Sequence, residues 1–153
     1  MTFFSFLEIG HVLGAAQCLN SLGDILRMQD KYTEASDTLK EARRQFLEIG
    51  HVLGAAQCLR SLGNILRVQG KYAEASDTLK EARRQFLEIG SVHGAIHCSR
   101  SLGYVLRMQG KYTEAFDTWT EARCQFLEIG DVAGAADCSQ RLDEVRMQAS
   151  QSS

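Results

Sequence analysis

The segment FLEIG begins at Phe6, Phe46, Phe86 and Phe126, so the chain restarts every 40 residues. A fixed period in the range of about 20–50 residues marks a row of similar units, each too small to bury its own apolar face and each covered by its neighbours. Such rows build long surfaces instead of enclosed pockets, which favours holding a partner over performing a reaction. A chain of 153 residues has room for one domain of this kind.

Composition narrows the partner. Seventeen basic residues against 19 acidic ones leave a net charge of −2, which argues against nucleic acid or an anionic membrane, since both select a basic face. No apolar run reaches the ~18 residues of a membrane span. The opening MTFFSFLEIG lacks a basic start and carries Glu8, unlike a secretory leader. Four of the five cysteines, Cys18, Cys58, Cys98 and Cys138, are one position of the repeat. Stacked helices lie ~8–10 Å apart, whereas a disulfide needs Cα atoms within ~7 Å, so this position is predicted to be a small buried hydrophobe. Cys124 replaces the Arg44 and Arg84 of earlier copies, and an exposed thiol there implies a reducing, cytoplasmic setting.

Within one copy the apolar residues fall into two stripes. Val52, Ala55, Leu59, Leu62 and Leu66 are spaced alternately by three and four, as are Tyr72, Ala75, Leu79, Ala82, Phe86 and Ile89. Each stripe predicts a one-sided helix of ~17 residues and ~25 Å. The chain has no proline, so glycine stops the helices: Gly70 separates the two, and Gly50 and Gly90 sit where only glycine takes positive φ cheaply. Ser91 and Asp131 follow such glycines and are good N-caps, with His11 and His51 poorer ones.

The residues Leu59-x-x-Leu62-Gly63-x-x-Leu66, then Gly70-x-Tyr72-x-x-Ala75, Leu79 and Ala82, resemble the tetratricopeptide repeat. The first copy offers Leu19, Leu22, Gly23, Leu26, Tyr32, Ala35, Leu39 and Ala42. The third offers Leu102, Gly103, Leu106, Gly110, Tyr112, Ala115, Trp119 and Ala122, with Ser99 at the first large position. Small residues at Gly63, Ala75 and Ala82 would let helices A and B of one unit approach closely. Two departures stand out: a period of 40 where ~34 is usual, and no proline near the end of helix B. The longer helices resemble those of kinesin light chains and cell-polarity adaptors. The wording FLEIG-(H/S/D)-V-x-G-A resembles repeats attached to NLR-like signalling ATPases, particularly fungal ones.

The resemblance implies an all-α, right-handed α-solenoid of antiparallel helical hairpins. Residues 11–50, 51–90 and 91–130 are full repeats, 1–10 the tail of a helix B lacking its helix A, 131–149 a capping helix and 150–153 a disordered tail. Asp143 and Glu144 stand where Gly103 and Tyr104 stand one copy earlier, so no further helix should pack there.

Copies one and two differ at only five positions: Asn20/Arg60, Asp24/Asn64, Met28/Val68, Asp30/Gly70 and Thr33/Ala73. The first three pairs lie four residues apart and share one face of helix A. The third copy extends that stripe through Gln17/Gln57/His97, Asn20/Arg60/Arg100 and Asp24/Asn64/Tyr104. In tetratricopeptide stacks this face lines the concave groove, so a constant frame with varied groove lettering reads as a partner-binding surface; the competing reading is drift at exposed positions. Arg27, Arg67 and Arg107 recur beside the stripe, where they could capture carboxylates in bidentate fashion or simply lie along the helix with packed stems. Arg60 and Asn64 partly resemble a peptide-carboxylate clamp, which Asp24 and Tyr104 do not continue.

His93 and His97 have the i, i+4 spacing of metal ligands but lack a third ligand on their helix. No phosphate-binding loop or nucleophile elbow occurs. The sequence therefore predicts a non-enzymatic, cytoplasmic interaction module without metal or cofactor. Its partner is a protein or peptide, with an acidic segment or C-terminal carboxylate favoured. Self-association through the apolar N-terminal segment is the alternative.

Overall fold

The computed structural model describes residues 5–152, which form seven α-helices and no strand. In chain order these are α1 (Phe6–Met28), α2 (Tyr32–Glu48), α3 (Val52–Val68), α4 (Tyr72–Glu88), α5 (Val92–Met108), α6 (Tyr112–Glu128) and α7 (Val132–Ser152). Each helix packs chiefly on the one before and the one after, giving an α-solenoid of hairpins.

The links are nearly identical. Gly50, Gly70, Gly90, Gly110 and Gly130 all have φ between 72° and 78°, the left-handed conformation that ends a helix without a Cβ penalty. After each helix B the next amide turns back in the same way: His51, Ser91 and Asp131 donate to the carbonyls of Phe46, Phe86 and Phe126, each at 2.8 Å. Asp30 holds the same left-handed position with φ 61°, and its carboxylate accepts from the Tyr32 hydroxyl at 2.9 Å.

Capping departs from expectation at two residues. Ser91 makes no side-chain cap, whereas His51 Nδ1 accepts from the Gly54 amide at 3.0 Å. The backbone at these junctions is not fully extended, with ψ of 82° at Ser91 and 79° at His51. A short hydroxyl then falls short of the amide that a longer imidazole reaches. Asp131 does cap, accepting from Gly134 at 2.8 Å.

Two glycine contacts set the packing. Inside a hairpin, a Cβ on Gly23 would lie 2.6 Å from Leu39 Cγ and one on Gly63 2.7 Å from Leu79 Cγ, while Gly103 lies as tightly under Trp119. Between hairpins, Gly54, Gly94 and Gly134 sit under the rings of Phe46, Phe86 and Phe126. The helix-B residues at these contacts, from Leu39 and Phe46 through to Trp119 and Phe126, are essentially buried, with Ala35, Ala42 and their repeats beside them. Val52 and Ile89, at the ends of their stripes, are exposed. On the solvated side of helix B, Arg84 bridges Glu81 and Glu88, a surface arrangement of small net stability.

The two ends correct the sequence reading. Residues 6–10 are not the tail of a separate helix B: α1 runs unbroken from Phe6, started by a capping box between Ser5 and Glu8. Gly10 has no positive φ and nothing within 4 Å of the place a Cβ would occupy. Keeping glycine inside the helix costs about 1 kcal/mol. Stopping there would orphan up to about four amides and four carbonyls at new helix ends, and no packed ring rewards the turn as at Gly50. Phe6 and Leu7 are exposed; Phe3 and Phe4, also expected on the partial helix B, lie outside the described residues. At the other end α7 continues to Ser152, so residues 150–152 belong to a helix and not to a disordered tail. Asp143 is exposed where Gly23, Gly63 and Gly103 are buried.

The first copy also departs from its own repeat. Leu62 and Leu102 are buried, but Leu22 is 45% exposed; Cys58, Cys98 and Cys138 are buried, but Cys18 is exposed. Ile25 is 51% exposed where Ile65 is fully buried. These positions are covered when a preceding helix B lies over them, and none of the described residues lies over this face of α1.

Two measurements check this packing. Gly63→Leu forces a side chain into the space of Leu79, an overpacking that costs about 1–3 kcal/mol or more; a clear fall in the thermal midpoint is expected, and an unchanged one would mean that the hairpin contact lies elsewhere. Burial pushes the Cys58 and Cys98 thiols up to about 12 and Cys138 up to about 11. The native protein should therefore react quickly with a thiol reagent only at Cys18 and Cys124, the other three reacting after unfolding. Rapid labelling of all five would contradict the stacking.

Candidate functional site

Helices α1, α3, α5 and α7 stand side by side, and their aligned faces enclose an open cleft of about 700 Å³. Eight of the twelve residues predicted from sequence line it: Asp24, Arg27, Arg60, Asn64, Arg67, His97, Arg100 and Tyr104. All eight are half-buried, less open than a fully exposed stripe. The other four are not among its lining residues. Gln17 is exposed, Gln57 is half-buried, and Asn20 accepts a 3.6 Å hydrogen bond from the Cys58 thiol. Arg107 is tied to α7, donating to Glu144 at 2.8 Å and Gln148 at 2.9 Å.

Five further residues join the lining: Ser61, Val68, Ser101, Asp137 and Arg141. Asp137 and Arg141 were legible in principle. One more step of 40 carries His97 to Asp137 and Ser101 to Arg141.

Tyr104 is the centre of the cleft wall. Its ring meets Trp119 edge-on at 5.2 Å, and the guanidiniums of Arg67 and Arg141 lie 5.0 and 5.1 Å from its centroid. Trp119 is itself fixed, donating from Nε1 to the Arg100 carbonyl at 3.0 Å. The stack therefore fastens α3, α5 and α7 together, each cation resting on the negative ring face. Burial, with Asp137 adding to it, raises the Tyr104 hydroxyl above its usual range, so it stays protonated and reaches Asp137 at 3.4 Å.

The lining is basic although the chain is not. It carries five arginines, Arg27, Arg60, Arg67, Arg100 and Arg141, against Asp24 and Asp137, in a protein of net charge −2. Arg27 pairs loosely with Asp24 at 3.9 Å, Arg100 with Asp137 at 3.9 Å, and Arg141 with Asp137 at 3.5 Å. Among the described residues no carboxylate lies within 4.0 Å of Arg60 or Arg67; Arg60 lies over the Phe86 ring at 5.7 Å. Desolvation lowers the pKa of both, and the nearby Arg100 lowers it further, yet a guanidinium remains charged. Arg67 Nε and Arg141 Nε are buried without an acceptor. His97 is held neutral at pH 7, its pKa lowered to about 4 by burial and then by Arg100 and Arg60. The site thus presents positive charge and unmet donors.

Two tetratricopeptide repeat family models match the chain, over residues 54–123 and 20–87. This chain belongs to the tetratricopeptide-repeat family. No curated protein matches it. Among solved structures it is similar to the Rap conjugation gene regulator of plasmid pLS20 in complex with the Phr* peptide, with a TM-score of 0.74, 18% identity and 83% of this chain covered. The chain spans only 36% of that regulator. It is also similar to a TPR-like protein from Chlorobium tepidum, with a TM-score of 0.71 and 16% identity, covering 90% of this chain and 98% of that one. A third likeness, to BtubC from P. vanneervenii, has a TM-score of 0.56 and 15% identity over 88% of this chain and 64% of that one. At these identities the likeness is one of fold. No helix among the described residues is long and apolar enough to cross a membrane.

Proposed function

We propose that this tetratricopeptide-repeat protein is a non-enzymatic interaction module whose cleft takes an acidic peptide segment or a C-terminal carboxylate. One observation carries the reading: an excess of cleft arginines, two of them without a carboxylate partner, in a chain whose net charge is negative. Arginine recognises carboxylates through paired donors, and a low-dielectric cleft wall strengthens that attraction. The Rap regulator, which shares the fold, is in complex with a peptide, which supports a peptide as the occupant. The resemblance of FLEIG-(H/S/D)-V-x-G-A to NLR-linked repeats supports reading the module as the sensing part of an NLR-like system, and the exposed thiols of Cys18 and Cys124 are in line with a reducing cytoplasm.

The test is fluorescence anisotropy with short acidic peptides, their C-terminally amidated forms and basic controls. Acidic peptides should bind in preference to basic ones, more weakly as salt rises. Arg60→Gln/Arg67→Gln should lose at least about tenfold in affinity, in line with the cost of removing partners of a buried charge. Equal binding of acidic and basic peptides would sink the charge assignment, and equal binding by the variant would sink the site.

The open face of α1 favours a second reading, self-association. Cys18, Leu22 and Ile25 present there the positions that later copies bury. The exposed Asp143 makes the α7 end a poor match, so two α1 faces pairing about a twofold axis is the arrangement favoured. Light scattering should then show a dimer that Leu22→Arg returns to monomer, with Cys18 protected from thiol reagents at high protein concentration. A monomer with reactive Cys18 at every concentration would remove this reading.

A further inference from the structure

Three potential metal donors meet at the junction of α5 with α7, outside the arginine stack. His93 Nε2 lies 3.0 Å from His97 Nε2 and 3.3 Å from Asp131 Oδ2, and His97 Nε2 lies 4.0 Å from the same oxygen. A triangle with these sides has a central point about 2.0 Å from all three corners, the length of a zinc–imidazole or zinc–carboxylate bond. A proton serves this group poorly. One Nε2–H on His93 cannot satisfy both His97 and Asp131 at full strength, whereas a cation at the centre engages all three lone pairs.

Each donor is held from behind. The His97 ring packs edge-on to Phe126 at 5.1 Å, and Phe126 is pinned under Gly134. Asp131 Oδ1 accepts from the Gly134 amide as the N-cap of α7, which leaves Oδ2 directed at the imidazoles. His93 is the open member, 61% exposed and four residues before His97 on the same helical face. The earlier junctions lack the set: the places of His93, His97 and Asp131 are taken by Leu53, Gln57 and Ser91 one copy earlier, and by Leu13, Gln17 and His51 in the first. Sequence spacing showed only the two histidines; the third donor lies 38 residues beyond His93 and arrives through the stacking of α7 on α5.

We propose that His93, His97 and Asp131 bind one divalent transition-metal ion, which ties the N-terminus of α7 to α5. Two imidazoles and a carboxylate suit zinc, nickel, cobalt or copper, and not magnesium or calcium. Three protein donors leave a coordination position for water, and the exposed His93 gives the ion its entry path. Arg60 and Arg100 face His97 from α3 and α5 and oppose the cation, with Asp131 in the donor set and Asp137 beside Arg100 offsetting them. Affinity in the micromolar range follows, below that of a buried structural zinc site.

The experiment is isothermal titration of untagged protein with zinc and nickel chloride, magnesium serving as the control. It uses a Cys18→Ser/Cys124→Ser background so that the exposed thiols bind nothing. One equivalent of zinc or nickel should bind saturably and raise the melting temperature, with no response to magnesium. His93→Ala should weaken zinc at least about tenfold while leaving the helical spectrum and the melting temperature in EDTA unchanged. Asp131→Asn, which keeps a capping oxygen, should weaken it as well. Absence of saturable binding in the parent, or equal binding by His93→Ala, overturns the site.

Discussion

Everything in this protein rests on how closely two helices can lie when one of them has no side chain at the point of crossing. Gly63 brings the backbone of α3 against Leu79, and Gly54 brings it against Phe46 of the preceding hairpin. Interiors are packed like crystals, so a contact this close propagates rigidly along the row. The same two glycine contacts recur from hairpin to hairpin, which is why helix A of each copy presents the same face in the same direction. The cleft is a by-product of that regularity: it needs no loop, lid or special backbone, only aligned helices whose fourth-residue positions are free to vary.

The period, the glycine stops and the two apolar stripes made the hairpins legible, because these signals are local and repeated. The errors fell where a residue's fate depends on what lies over it. Leu22 and Cys18 carry the same letters as Leu62 and Cys58, but none of the described residues lies over them. Gly10 carries the letter of Gly50 but has no reason to turn. Ser91 and His51 exchanged capping roles because backbone ψ at the junction, which the letters do not encode, decides which side chain reaches. In the cleft, Arg60, Asn64, Arg100 and Tyr104 lie together because residues four apart share a helix face and the helices stack in register. Asp137 and Arg141 are hidden by the charged letters Asp143 and Glu144, which mark α7 as an end and mask its continuing groove face, and Asp131 joins His93 only through tertiary stacking.

Arginine serves two physical roles in this molecule. On helix B, Arg44 and Arg84 sit among glutamates in water and add little. On helix A, Arg60, Arg67, Arg100 and Arg141 hold their guanidinium groups over Phe86, Tyr104 and Phe126, so ring faces take over part of the work of solvent. A lysine would lose the planar stacking and the forked donors together. The cleft can therefore hold concentrated positive charge beside a packed core without a matching number of acids, and that imbalance separates it from the rest of the surface.

The turns after each helix B share one hydrogen bond and one left-handed glycine, so the junctions at residues 50, 90 and 130 are interchangeable joints. A block of forty residues can be removed or duplicated between such joints, and each new junction still sets a helix-B phenylalanine against a helix-A glycine. Groove length in such a chain is quantised: it grows or shrinks by one helix and one row of side chains at a time. Neighbouring copies are near-identical in their frame residues, so a change of reach leaves the letters within each row untouched. Length and specificity are thus independent variables in this architecture, the first set by counting units and the second by a few positions on helix A.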